Sequence, residues 1–89
     1  MARWKYELKC GKELRDAIWE DNCKRTLSVI EKAYKELLKA KLISKDDYES
    51  YTDEFILYDV DDLDDDDINY ELRELYDLCD SIGVWIPIV

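Results

Sequence analysis

The stretch INYELRELYDLCDSIG, residues 68–83, decides the fold because it carries the clearest helical pattern in the chain. Its apolar residues recur at steps of three and four, so they share one helix face and predict that this face packs on a core. Gly83 follows at the point where a helix usually ends, since glycine readily adopts the left-handed conformation that closes one. The apolar positions are Ile68, Leu72, Leu75, Cys79 and Ile82.

Three further helices are predicted upstream of this one. Residues 12–20 form a short amphipathic helix, and residues 21–41 form a longer one. Ser44, followed three residues later by Asp47, resembles a capping signal for the third. Its aromatic residues recur at steps of three and four, which favours a core face but leaves open a role as interface anchors. These are Tyr48, Tyr51, Phe55 and Tyr58.

The two ends of the chain have extended character. Residues 3–9 alternate between apolar and polar side chains, which is the period of a half-buried strand. Residues 84–89 are apolar and β-prone, although Pro87 restricts them to an edge strand. The 89 residues suffice for one domain, residues 1–89. We therefore predict a mainly α, compact four-helix fold, and leave open whether pairing of the ends adds a two-stranded ribbon that makes it α+β.

Charge is divided unevenly along the sequence. Residues 1–45 contain 12 basic and 7 acidic side chains, whereas residues 46–89 contain one basic residue, Arg73, and 16 acidic ones. The total is a net charge of −10. Such a field repels nucleic acid and attracts basic protein surfaces. Within residues 53–67 the acids are concentrated at Asp53, Glu54, Asp59, Asp61, Asp62, Asp64, Asp65, Asp66 and Asp67.

Three explanations of this acidic segment compete. A calcium-binding EF-hand that starts at Asp62 lacks the required glycine, where Asp67 stands, and the required glutamate, where Arg73 stands. Acids in the first turn of a helix interact favourably with its dipole, a role that suits three of them, residues 65–67. The lysine stripe at Lys32, Lys35 and Lys39 could lie across from the acids, but it is too small to neutralise them all.

The surplus acids predict a contact surface for a basic protein. Carboxylates on a folded surface can match the spacing of DNA phosphates and so compete with nucleic acid for the same Lys and Arg array. We take all nine acids of residues 53–67 as this partner-binding surface. Asp61, Asp62 and Asp64 form its predicted centre, because they precede the helix start and are least needed for capping.

Catalysis is not expected from this composition. The chain has no histidine, no Gly-rich phosphate loop and no Ser or Cys with an evident base partner, so we predict no catalytic residue, no cofactor and no metal site. The three cysteines lack Cys-x-x-Cys spacing and are expected to be reduced, with Cys79 in the core. Without a long apolar run or a signal sequence, we expect a cytoplasmic protein that binds no membrane.

Residues 69–80 with residues 84–87 resemble small acidic proteins of phages and mobile elements of Gram-positive bacteria. That resemblance covers about the last quarter of the chain. It implies a protein similar in style to anti-CRISPR and anti-restriction inhibitors. The partner would be a basic nucleic-acid-binding protein, such as a CRISPR effector or a restriction enzyme, in the bacterial host cell. The alternative is a passive interaction or self-associating module, including a homodimer, that uses Trp4, Trp19, Trp85 and the apolar tail and whose acidic face only solubilises the protein.

Overall fold

One long central helix organises residues 4–59 and 61–86, the part of the chain that the computed structural model describes. The mainly α fold with a short ribbon of the terminal segments is confirmed. The elements in chain order are β1 (Tyr6–Glu7), α1 (Gly11–Trp19), α2 (Cys23–Lys39), α3 (Lys45–Thr52), a 3₁₀ helix (Asp53–Leu57), α4 (Asp65–Ile82) and β2 (Val84–Trp85).

Helix α2 supplies the centre of the core. Helices α1, α3 and α4 all pack against it, whereas α1 and α4 make little contact with each other. Its apolar side chains are spread over a broad arc, so that several partners can bury it at once. The buried ones are Leu27, Val29, Ile30, Ala33, Tyr34 and Leu37.

The helix ends follow local sequence signals. The side chain of Asn22 caps α2 by accepting from the Arg25 N–H at 3.1 Å. The predicted Ser44 cap of α3 is confirmed, because its hydroxyl accepts from the Asp47 N–H at 3.1 Å. Gly83 closes α4 with φ of +78°, a conformation that side chains with a Cβ rarely adopt.

The ends of the chain meet in a parallel ribbon. Tyr6 lies opposite Val84 and Glu7 opposite Trp85. The ribbon is extended by a bond from the Leu8 N–H to the Trp85 carbonyl, 2.9 Å. The predicted roles of Arg3 and Pro87 lie outside the described residues. A parallel pairing is possible here because four helices separate the two strands and return the chain to the same edge.

The third helix is shorter than the sequence predicts. It ends at Thr52, and the chain continues as the 3₁₀ helix, so the aromatic stripe crosses two elements. The core role of the stripe is nevertheless confirmed: Phe55 is buried, and Tyr48, Tyr51 and Tyr58 pack against the core. The ring of Tyr51 stacks on that of buried Tyr34 with centroids 5.3 Å apart.

The junction between β1 and α1 is fastened to α2 by one carboxylate. Glu36 accepts hydrogen bonds from the backbone N–H groups of Lys9, at 2.7 Å, and Cys10, at 3.1 Å. It also accepts from the Tyr6 hydroxyl at 2.7 Å. No side chain of α1 itself caps that helix, so Glu36 reaches from a neighbouring helix to the amides just before it.

Removal of this carboxylate should destabilise the fold. We expect Glu36→Ala to lower the free energy of unfolding by about 2 kcal/mol, because bonds to a charged acceptor are stronger than neutral ones. Tyr6→Phe, which deletes only one of the three bonds, should cost about 1 kcal/mol. Urea unfolding monitored by circular dichroism measures both. Equal losses for the two variants would contradict the central role of the Glu36 carboxylate.

Stability should also fall in alkaline solution. The hydrogen bond to Glu36 and then burial raise the pKa of Tyr6 from 10.0 to about 12. Burial raises the pKa of Cys10 and of Cys79 from 9.0 to about 12. The folded state therefore holds these protons more tightly than the unfolded state, so their contribution is complete below pH 9 and is lost as the pH rises towards 12. The urea midpoint under reducing conditions should accordingly be lower at pH 11 than at pH 8; an unchanged midpoint would contradict this.

Candidate acidic interface

The nine predicted acids lie on the surface of three consecutive segments. Asp53 and Glu54 begin the 3₁₀ helix, four acids lie in the loop of residues 59–64, and residues 65–67 form the first turn of α4. Eight of the nine side chains are exposed, and only Asp67 is half-buried. Glu54 and Asp67 both act electrostatically on the same buried residue, Glu71, which places the two ends of the segment near each other. We call these nine residues the acidic surface.

Hydrogen bonds within the loop set its shape. The carboxylate of Asp59 accepts from the Asp61 N–H at 3.1 Å, and its carbonyl accepts from the Asp62 N–H at 2.9 Å. Such Asx turns hold the backbone of a short loop in a defined conformation. Asp59 thus holds the turn in place, and the carboxylates of Asp61 and Asp62 are exposed to solvent on it.

The prediction that Asp64 is dispensable for capping is wrong. Asp64 is the N-cap of α4, and its carboxylate accepts from the Asp67 N–H at 2.9 Å. The helix begins at Asp65, so residues 65–67 form its first turn as predicted, and the residue directly before that turn is the cap. Asp61 and Asp62 remain free of capping, whereas Asp64 combines a structural role with its charge.

A buried hydrogen bond anchors the loop to α4. The Tyr58 hydroxyl donates to the Glu71 carboxylate at 2.6 Å, and Glu71 is only 3% exposed. Burial raises the pKa of Glu71, and the nearby Glu54 charge raises it further, while the bond from Tyr58 opposes the shift. A buried carboxyl group is tolerated only with such a partner. The residue directly before the acidic loop is therefore fixed to the helix that follows it.

No basic side chain neutralises the acidic surface within the part of the chain that the structure describes. Lys32 pairs with Glu13 at 2.8 Å and Lys35 pairs with Glu31 at 3.3 Å, whereas Lys39 forms no ion pair with a described acid. Four ion pairs join described residues, and all of them lie within residues 13–35. The alternative in which the lysine stripe neutralises the acidic surface is therefore wrong.

Two aliphatic side chains project from the acidic surface, and sequence reasoning missed them. Ile56 is 84% exposed and Leu57 is 79% exposed. They lie between Glu54 and Asp59 in the sequence. The signal was present: because Phe55 and the residue three positions later face the core, the two residues between them must face away from it.

Thiols and tryptophans differ in how far they are buried. All three cysteines are free, and the predicted core position of Cys79 is confirmed by its 1% exposure. The three tryptophans, in contrast, are all substantially exposed: Trp4 by 38%, Trp19 by 74% and Trp85 by 43%. Trp4 and Trp85 lie at the ribbon, and Trp19 is the last residue of α1.

Two common kinds of site are absent from the described part of the chain. Within residues 4–59 and 61–86, no three Cys, Asp or Glu side chains come together in an arrangement that could hold a metal ion. None of the helices there has the length and apolar character needed to cross a bilayer. The sequence matches no protein-family model, no curated protein and no solved structure.

The corrected role of Asp64 can be tested by a matched pair of substitutions. Asp64→Ala should lower the free energy of unfolding by about 1 kcal/mol, because it removes the N-cap of α4. Asp62→Ala removes the same charge two residues away and should change stability by no more than about 0.5 kcal/mol. Urea unfolding of the two variants measures the difference. A loss of equal size in both would contradict the cap.

Proposed function

We propose that this chain is a non-catalytic acidic protein that binds and inhibits a basic nucleic-acid-binding protein by nucleic-acid mimicry. The observation that carries the proposal is the pair Ile56 and Leu57, almost fully exposed within the acidic surface. A surface that serves only solubility gains nothing from exposed aliphatic side chains, since they promote association. An interface uses them, because apolar anchors supply binding energy while the surrounding charges supply rate and specificity.

Electrostatics favour a basic partner. Eight exposed carboxylates without a described counter-charge produce a concentrated negative field. Neighbouring side chains on a helix lie about 5–6 Å apart, a spacing suited to an array of Lys and Arg that otherwise binds phosphates. Nucleic acid itself would be repelled. The acidic surface would therefore bind a site on the partner that normally binds DNA or RNA.

The local structure favours tight binding because the surface is preorganised. The loop has its own turn bonds at Asp59, a cap at Asp64 and an anchor between Tyr58 and Glu71. A loop that is already ordered loses less conformational entropy when it binds. The mimic can therefore present its charges in one arrangement rather than as a flexible acidic tail.

The partner class follows from this chemistry and from the resemblance to phage proteins. A CRISPR effector or a restriction enzyme has an extended basic site for nucleic acid, and an inhibitor of that kind would act in the cytoplasm of the bacterial host. Inhibition would be stoichiometric, since the proposal assigns no catalytic residue, cofactor or metal. Its affinity should fall steeply with ionic strength, because the interaction is largely between charges.

The experiment is affinity capture with the full chain from a nuclease-treated lysate of a Gram-positive bacterium. We expect a basic nucleic-acid-binding protein to be retained at low salt and released by higher salt or by duplex DNA or RNA. The triple variant Asp61→Asn, Asp62→Asn and Asp64→Asn should lose it, because asparagine preserves the cap but removes three charges. A second variant, Ile56→Ser with Leu57→Ser, should lose it as well.

The matched control changes net charge by the same amount on another face. Glu7→Gln, Glu13→Gln and Glu31→Gln together remove three negative charges from the first half of the chain, and this variant should retain the partner. If the control and the Asp61, Asp62 and Asp64 variant lose binding equally, only net charge matters. If neither loses it, the acidic surface is not the interface and the mimicry proposal fails.

A second candidate function is a passive protein-interaction module with a solubilising acidic face. The observation that favours it is the exposure of all three tryptophans, which is costly for a protein that acts alone. Capture of a partner that higher salt does not release would support this module, because aromatic contacts depend little on ionic strength.

A further inference from the structure

We infer that the groove between α1 and α4 is the interface of a two-fold symmetric homodimer of this chain. The groove has a volume of about 530 Å³ and is lined by α1 residues that include Ile18 and Trp19 and by α4 residues that include Leu72 and Tyr76. A second depression of about 220 Å³ shares Tyr76 and continues to Trp4 and Trp85. The inference is independent of the mimicry proposal, since none of the nine acids lines either depression.

The groove exists because two helices pack on a third without packing on each other. Helices α1 and α4 both contact α2, and the space between them is left unfilled. Trp19 stands at its rim with 74% of its surface exposed. An exposed indole beside an apolar depression is an interface anchor without a partner, because tryptophan contributes strongly to association once it is buried.

Charges within the groove indicate what covers it. Arg73 and Asp77 both line it, four residues apart on α4. In this order, with the cation nearer the helix N-terminus, an i,i+4 pair is the less favourable one. Neither side chain forms an ion pair or a hydrogen bond with any residue between positions 4 and 59 or 61 and 86. Both charges are therefore available to a partner.

In a dimer with two antiparallel copies of α4, these charges form two ion pairs between the copies. With a two-fold axis that crosses the exposed face of α4 midway between these two residues, Arg73 of each copy lies opposite Asp77 of the other, as an isologous interface requires. The same patch also supplies both a projection, Trp19, and a depression beside Tyr76 that can receive it. A surface with this combination is complementary to itself.

Other occupants fit less well. Arg73 is the only basic residue in positions 46–89. The groove contains a second guanidinium, that of Arg15, whose Cζ lies 5.0 Å from the centroid of the Trp19 ring. A strongly basic partner would meet these two cations and be repelled by them. A second copy places its Asp77 opposite Arg73 and its Arg73 opposite Asp77, and these two local pairs oppose the long-range repulsion between two chains that each carry a net charge of −10.

Analytical ultracentrifugation of the full chain over a wide concentration range tests the dimer. We expect a reversible monomer–dimer equilibrium that Trp19→Ala weakens by about tenfold or more, equivalent to about 1.4 kcal/mol. Higher salt should strengthen the dimer, because two chains of the same net charge repel each other less when screened. That dependence is opposite to the one expected for capture by the acidic surface, so the two proposals can fail separately.

Charge reversal provides the sharper test. Arg73→Asp and Asp77→Arg should each weaken the dimer, because each places like charges opposite one another, and the double variant should restore it. Asp77→Arg is especially informative, since it lowers the net negative charge and would strengthen the dimer if only overall repulsion mattered. Circular dichroism should show unchanged helix content in each variant, because both positions are exposed.

Ile56→Ser is the matched control, since it removes an exposed apolar side chain from the other surface and should leave the equilibrium unchanged. The proposal is overturned if the chain is monomeric at every concentration, which would leave the groove to an unrelated partner. It is overturned equally if the dimer survives Trp19→Ala, or if the double charge reversal fails to restore it.

Discussion

The segregation of charge pairing is the constraint on which the rest of this structure depends. Among residues 4–59 and 61–86, the ion pairs join basic and acidic side chains of the first half of the chain, all within residues 13–35. Exposed pairs of this kind contribute little stability, about 0–1 kcal/mol each. Their importance is that none of them involves the acidic surface, so that no described basic side chain neutralises its negative field, which faces solvent.

A protein with such a field needs a scaffold that withstands repulsion between its own acids. Helix α2 provides it, because three helices bury their apolar faces on its buried side chains. Two carboxylates then act structurally rather than as surface charge. Glu36 fastens the start of α1 to α2, and Glu71 fastens the residue before the acidic loop to α4. Both accept short hydrogen bonds, which offset the cost of placing a carboxylate in a partly or wholly buried position.

The sequence predicted features that depend on local pattern. The four helices, the Ser44 cap and the closure of α4 at Gly83 follow from period and capping chemistry over a few residues. The ribbon was left open because strand pairing depends on where four helices return the chain, and its parallel direction could not be read locally. The 3₁₀ segment was missed because its apolar spacing continues that of α3, while hydrogen bonding changes from one turn to the next.

The sequence predicted which segment is rich in acids but not the structural role of each acid in it. The concentration of acids was evident, whereas the cap at Asp64 depended on where α4 begins, a boundary that apolar periodicity does not define. The hydrogen bonds of Glu36 join residues 26 to 30 positions apart, so no local pattern contains them. The exposure of the tryptophans could not be predicted either, because an apolar residue type indicates a preference for burial and does not fix whether a given side chain is buried.

The most direct test of this account is the electrostatic potential near each backbone amide, measured by NMR from relaxation enhancements by small paramagnetic solutes of opposite charge. We expect a markedly more negative potential around residues 59–67 than along Lys32, Lys35 and Lys39, because no described basic side chain pairs with the acids of the first region, whereas Lys32 and Lys35 each lie beside one acid. A potential that is uniform over the two regions would contradict the account, since it would mean that the acidic surface is neutralised within the chain or by bound ions.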